Sequence, residues 1–281
     1  MVNDKYSAVW VSHSSLGDFI KCPRAYFLHN VYKDPKTNHK INIVSPALSL
    51  GSAVHEVVEG LLNFKAEDRA TEPMFEQFET AWQKVTGKIG GFTSPEEELV
   101  AKERGLKMID RVQNNLGPLL NKAIKLKDHE SGMPPNFYLS EDDNIILCGK
   151  IDWLEYLPDT DSLHIIDFKT GKHEESDDSL QLPIYLLLLD NLQKRQVTKA
   201  SYWYLETDDD LTEKKLPNIS DARVKVLEVA KQVKTAREDK KFDCPKGVGG
   251  CFACRPFEKI ITGEAEFGGV GGYGQDMYLV K

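Results

Sequence analysis

At 281 residues, with 41% hydrophobic and 28% charged side chains, the chain can bury one large core or two small ones, which excludes global disorder. Its formal net charge of -8 excludes a surface coated in basic residues, so any nucleic acid must meet a local groove. No apolar run approaches the roughly 18 residues of a membrane span, and the first ten residues lack the form of a signal peptide; both point to a cytoplasmic protein without membrane contact.

In chain order, Ser14 or Ser15 caps a helix whose Leu16, Phe19 and Ile20 fall at helical spacing, and Pro23 opens a second, short one. From Leu48 to Phe64 the residues Val54, Val57, Val58, Leu61 and Leu62 form one apolar stripe. Gly51, His55 and Glu59 share a neighbouring face of that helix. A charged helical pattern from about Glu67 to Asp128 carries Phe75, Phe78, Trp82, Leu99, Leu106, Ile109, Val112 and Leu116 on its buried sides. Gly90, Gly91 and Pro95 divide it in two.

Strand signals follow at Phe137–Leu139, Ile145–Leu157, Leu163–Phe168 and Ala200–Leu205, with a turn at Asp159 to Ser162. A leucine-rich helix from about Leu180 to Lys194 crosses between the third strand and the fourth, and another runs from about Ser220 to Asp239. The order is that of a small α/β sandwich. The chain divides into N-terminal helices (1–66), a helical insertion (67–133), a core sheet with its crossover helix (134–218), a C-terminal helix with a cysteine-bearing region (219–262), and a glycine-rich tail (263–281) predicted to be poorly ordered.

The chemistry concentrates between Gly149 and Tyr185. Asp152 lies in one apolar strand and Asp167 ends another, flanked by Ile165, Ile166 and Phe168. A carboxylate in such surroundings is costly unless a cation compensates it, and a hard divalent metal held by oxygens would do so. Lys169 falls on the same side of its strand as Asp167 and could stabilise charge on an attacked phosphate. The alternative is two strand-end carboxylates paired with Lys150 and Lys169. Gln181 and Tyr185, four apart, share a helical face.

These residues resemble, in their order, the RecB-like branch of the PD-(D/E)xK nuclease superfamily, in particular the iron-sulfur exonucleases associated with CRISPR loci and helicase-nucleases. Four blocks carry the likeness: Ser15, Leu16, Phe19 and Cys22 to Tyr26; Gly51 with His55; Gly149 to Asp152; and Asp167 to Lys169 followed by Gln181 and Tyr185. Each is weak alone, but their ordered combination is specific.

The resemblance implies a restriction-endonuclease-like α/β core: a small mixed sheet flanked by helices, with the helical insertion and a cysteine-bearing region joining the two ends of the chain. It implies a metal-dependent deoxyribonuclease acting on single-stranded DNA as an exonuclease, with Asp152, Asp167, Lys169, Gln181 and Tyr185 as catalytic residues. His55, Asp152, Asp167 and the Phe168 carbonyl would hold Mg2+ or Mn2+, while Glu56 and Glu59 are read as solvated charges or neighbours of the ligands. Two further readings stay open: a nuclease-fold subunit working with a helicase or a CRISPR integrase, and a DNA-binding module without catalysis.

Cys251 and Cys254 form a C-x2-C pair, Cys244 precedes them by seven positions, and Cys22 lies far upstream. The family's one-early, three-late arrangement implies a [4Fe-4S] cluster on these four. The spacing departs from the family, whose last cysteine would fall near Ile260. Zinc, or free thiols, remain alternatives. Cys148 reads as a small buried residue. Candidate DNA contacts are Lys33, Lys36, His39 and Lys40 in one loop, Lys122, Lys125 and Lys127 on one helix, and Lys231, Lys234 and Arg237 on another. Trp203 and Tyr204 share a strand, with one in the core and one near the groove for base stacking.

Overall fold

The computed structural model describes residues 5–126 and 133–280. Strand β1 (Val9–Val11) leads into α1 (His13–Lys21), and α2 (Pro23–Tyr26) follows directly. The cap of α1 is Ser12 rather than Ser14 or Ser15: its hydroxyl accepts from the Ser15 N–H while the Ser15 hydroxyl accepts from the Ser12 N–H. Pro23 sits in the first turn of α2, where its missing N–H costs nothing. Strand β2 (Ile41–Ile43) precedes α3 (Pro46–Gly60), which Ser45 caps.

The helical block contains α4 (Met74–Trp82) and α5 (Pro95–Asn114), separated at Gly91, whose φ of 82° suits a residue without a side chain. Both pack on α3 in a core that includes Leu50, Val54, Phe78, Met108 and Ile109. Gly105 allows the close approach, since a Cβ there would lie 2.4 Å from Phe78 Cζ and 2.9 Å from Leu50 Cδ1. Buried Arg69 ties the block to its surroundings by donating to the carbonyls of Leu61, Phe64, Leu119 and Asn121.

Strands β3 (Asn136–Ser140), β4 (Ile145–Cys148), β5 (Trp153–Leu157) and β6 (Ser162–Lys169) come next. The stretch from Ile145 to Leu157 is therefore two strands and not one. β4 joins a sheet of order β1-β4-β3, whereas β5 enters a second sheet with β6, β7 (Val197–Tyr204) and β8 (Thr212–Lys214), in the order β5-β6-β7-β8. The break at Gly149 to Asp152 passes under α6 (Gln181–Leu192), where a Cβ on Gly149 would come within 3.0 Å of Leu188 Cδ1. Asp152 consequently stands in a bend between sheets rather than within a strand.

Parallel pairing of β6 with β7 requires a crossover, and α6 supplies it. Residues Gln181 through Leu189 of this helix are all buried, as a helix apolar all round must be. It lies between the sheets and α7 (Ile219–Glu238), which contributes Ala222, Val226, Ala230 and Val233 to the same core. The architecture is mixed α/β with small mixed sheets and flanking helices, as the sequence led one to expect.

After α7 the chain forms α8 (Arg255–Ile261) and then β9 (Glu266–Val270) and β10 (Asp276–Leu279). The tail predicted to be poorly ordered is thus an antiparallel hairpin, and β10 pairs in parallel with β2. The glycines serve packing and turns: Gly274 takes φ 76° at the tip, and a Cβ on Gly268 would meet the Lys88 carbonyl at 2.8 Å.

Two other expectations change. Lys122 and Lys125 lie in an extended segment, bridged to β5 through Ala123 and Glu155, instead of on a helix, because Ile124 and Lys122 use their backbone to bond Leu154 and Tyr156. Lys127, their third member, lies outside the described residues. Trp203 and Tyr204 are both buried, so neither ring is open for base stacking. No helix among the described residues is long and apolar enough to cross a membrane.

Candidate active site

Three elements converge at the C-terminal end of β6. α3 brings His55 and Glu59, four residues apart on one face; the bend before β5 brings Asp152; β6 itself brings Asp167 and Lys169. Gly51 lets α3 come this near, because a Cβ there would stand 2.9 Å from Thr170 Oγ1, just beyond the strand.

His55 Nδ1 lies 2.9 Å from Glu59 Oε1 and 3.6 Å from Asp152 Oδ2. Donor atoms of His55, Glu59 and Asp152 all fall within 4.8 Å of one another, a spread that a single cation can span. Glu59 thereby joins the donor set, closer to the centre than a solvated charge, and Lys150 Nζ holds its other oxygen at 2.5 Å. Glu56 instead points away to Lys84. The Phe168 N–H donates to Asp152 Oδ2 at 2.9 Å, which fixes that carboxylate against β6.

Asp167 is almost fully buried. Its Oδ1 accepts from Gln181 Nε2 at 2.8 Å and from the Tyr185 hydroxyl at 3.0 Å. Its Oδ2 has the Lys169 ammonium at 2.8 Å, an ion pair by distance, yet receives no properly directed hydrogen bond. Burial, and then the charge of Asp167, push the Asp152 carboxyl up to about 8. A buried Asp152 carboxyl raised by the charge of Asp167, together with an Asp167 oxygen that receives no directed hydrogen bond, suits a divalent cation.

Burial pulls the Lys169 ammonium down, but Asp167 and Glu175 outweigh it and hold it above the ordinary lysine range. Lys169 also hydrogen-bonds Gln181 Oε1 and lies 4.7 Å above the Tyr202 ring. Burial likewise opposes the charge on His55, while Glu59 and Asp152 prevail and raise it. Tyr185, buried beside Asp167, is raised well above a normal phenol and stays a neutral donor.

The sequence reading did not single out Glu175 or His13. Glu175 Oε2 lies 3.3 Å from Lys169 Nζ, and His13 Nε2 reaches Ser179 Oγ at 3.4 Å. Burial, the leading influence, holds His13 below the usual imidazole value, and Glu175, Lys169 and Asp167 all act on it. Glu175 sits in an acidic loop and His13 at a helix start, contexts in which neither residue type carries a site signal.

The four predicted cysteines come together although more than two hundred residues separate the first from the rest. Cys22 lies at the α1–α2 junction and Cys254 at the start of α8, and all four sulfurs are within 4.8 Å of one another. Cys251 N–H and Lys246 N–H donate to Cys254 Sγ and Cys244 Sγ. Burial raises Cys22 to about 12, whereas Cys251 is lowered to about 7 because backbone donors at Cys254 and Ala253 overcome its desolvation. Four converging sulfurs fit a thiolate-bound metal or an iron-sulfur cluster. They link the N- and C-terminal regions beside the Arg24–Glu258 pair, which closes at 2.6 and 3.2 Å. Cys148 is apart from them and half-buried, facing the Val11 carbonyl.

A solved structure from Eubacterium rectale, bearing the name "Putative exonuclease", is similar over 91% of this chain and 92% of its own, at 14% identity and a TM-score of 0.49. No curated protein matches the chain. The model of the PD-(D/E)XK nuclease superfamily matches residues 10–256. The chain belongs to the PD-(D/E)XK nuclease superfamily.

Proposed function

We propose that this nuclease is a metal-dependent deoxyribonuclease that hydrolyses single-stranded DNA from an end. The observation that carries the reading is the meeting of Asp167 and Lys169 with His55, Glu59 and Asp152 across β6, since a binding module has no use for buried, mutually repelling carboxylates beside a lysine. The choice of DNA, of a single strand and of an end rests on the resemblance in motif order.

A divalent cation held by His55, Asp152 and Asp167, with Glu59 as a further donor, would supply Lewis acidity at the phosphodiester and lower the pKa of the attacking water. Gln181 and Tyr185 hold Asp167 in one orientation. Lys169 stays protonated and places its charge where the phosphorane develops negative charge. Gln181 restrains both partners at once, so the carboxylate and the ammonium keep a fixed separation. The four cysteines, carrying a [4Fe-4S] cluster or zinc, would act structurally by holding the chain's ends together next to the site.

A time course on 5'-labelled and 3'-labelled single-stranded DNA with Mg2+ or Mn2+, run on the protein and on Asp167→Ala, tests this. Laddering from one end that requires metal and disappears in the variant is the expected result. Cleavage that persists in the variant, or none with metal supplied, would overturn it.

A further inference from the structure

The sequence placed Lys33 and Lys40 in one candidate patch and Arg237 in another, two hundred residues away. The fold joins them. Lys33 and Lys40 flank the loop that leads from α2 to β2, and Arg237 lies in the last turn of α7; all three are exposed. After desolvation, the charges of Arg237 and Lys33 are what push the Lys40 ammonium down, and no carboxylate offsets them there.

Several of the neighbouring acids are already engaged. Asp18 accepts from Asn30 and meets His29 at 2.8 Å; Asp276 meets His39 at 2.8 Å and accepts from Thr37 at 2.7 Å; Asp34 accepts from the Lys36 N–H. Asp243 faces Lys241 at 3.8 Å. Among the described residues, Lys33, Lys40, Arg237 and Lys240 have no ion pair. Like charges gathered without an ion pair among them, in a chain of net charge -8, are a site for an anion supplied from outside.

The shape agrees with a chain-like anion. Lys33 and Lys40 line a groove of about 560 Å³ between α1 and the β9–β10 hairpin, which also includes Ser14 and Tyr273. Arg237 and Lys240 line a second groove of about 670 Å³ floored by Phe27 and Phe242. Ser14 is next to His13, whose ring reaches Ser179 on the edge of the active site. Tyr273, at the hairpin tip, is 99% exposed, an aromatic face with nothing stacked on it.

We infer that these two grooves form a track for single-stranded nucleic acid running outward from the active site, with Lys33, Lys40 and Arg237 on successive phosphates and Tyr273 stacking on a base. This rests on the nuclease reading for its direction, while binding can be measured apart from cleavage. Base stacking on an open ring tolerates any sequence, and three phosphate contacts on a single strand correspond to a salt slope of about 2.

Fluorescence anisotropy of labelled dT20 and U20 across a NaCl series, without added divalent metal, tests the track on the full chain. Lys33→Ala/Lys40→Ala/Arg237→Ala should weaken binding about tenfold or more and reduce the slope of log K against log[NaCl] by about 2. Tyr273→Ala should weaken it about fivefold with the slope unchanged. The variant Lys33→Arg/Lys40→Arg/Arg237→Lys should restore the slope, which a merely unfolded protein would not do. An unchanged slope in the triple alanine variant, or a wild-type protein that binds neither oligonucleotide, overturns the track. Binding with the predicted slopes but no metal-dependent cleavage would instead sink the nuclease reading and leave the track standing.

Discussion

Gln181 donates to Asp167 Oδ1 at 2.8 Å while the same carboxamide accepts from the Lys169 ammonium. One neutral side chain thus fixes both charged groups of the proposed catalytic pair, and neither could do so for the other, because the Lys169 approach to Asp167 Oδ2 is poorly directed.

Gln181→Ala should therefore lower kcat about 10- to 100-fold with little change in KM, since outer partners of catalytic ligands carry effects of that size. Tyr185→Phe should cost less, because Gln181 still holds Asp167 Oδ1. Steady-state cleavage of single-stranded DNA checks both. A kcat within twofold of wild type for Gln181→Ala would mean that Lys169 and Asp167 need no help from the amide.

Asp152→Asn replaces a carboxyl that burial and Asp167 force to take up a proton on folding at neutral pH, while its carbonyl oxygen can still accept from the Phe168 N–H. Without divalent metal the variant should melt several degrees higher than wild type, as sites strained for function commonly do when neutralised. Mn2+ should raise the wild-type Tm and leave the variant's unmoved, and activity should fall by more than about a thousandfold. Differential scanning fluorimetry with a manganese titration decides it; equal metal-induced shifts would remove Asp152 from the donor set.

The cysteine site predicts a coupled loss at both ends of the chain. Cys22→Ser should release bound iron or zinc and lower the Tm, because the sulfurs join the α1–α2 junction to α8. Elemental analysis and visible absorption of anaerobically purified protein identify the metal. Retention of full metal content in Cys22→Ser would show that the three late cysteines suffice.

Much of this site was legible because its chemistry is local. Asp167 and Lys169 stand two apart on one strand, Gln181 and Tyr185 four apart on one helix, and His55 and Glu59 likewise, so strand and helix periods alone put each pair on one face. What stayed hidden depends on contacts distant in sequence. The break in Ile145–Leu157 arises because its halves pair with β1 and β6, which no apolar run reveals. The C-terminal hairpin forms on β2, a three-residue strand over two hundred residues upstream, and its glycines read locally as disorder. Trp203 and Tyr204 are both buried because α3, α5 and α6 cover the two faces of β7, so alternation along the strand could not separate a wet side from a dry one.

At the other end of the same sheet, Glu155 Oε2 lies 2.7 Å from His164 Nδ1, and His164 Nε2 lies 2.8 Å from Ser201 Oγ. The order acid, histidine, serine mimics a hydrolytic triad, but all three are buried, so it works as a polar tie across β5, β6 and β7. Burial alone would raise the Glu155 carboxyl; hydrogen bonds from His164 and Asn121 outweigh it and hold it below the ordinary glutamate value. A carboxylate lowered by folding stabilises the protein above its unfolded pKa of about 4.3, and that stability is lost as the pH falls through the lower folded value. Glu155→Gln should thus melt below wild type at pH 7, by an amount consistent with about 2 kcal/mol for hydrogen bonds to a buried carboxylate, and the gap should begin to narrow as the pH falls below about 4.3. Melting curves of both proteins from pH 3 to pH 8 measure it, and a gap independent of pH would assign the loss to packing rather than to the ionised carboxylate.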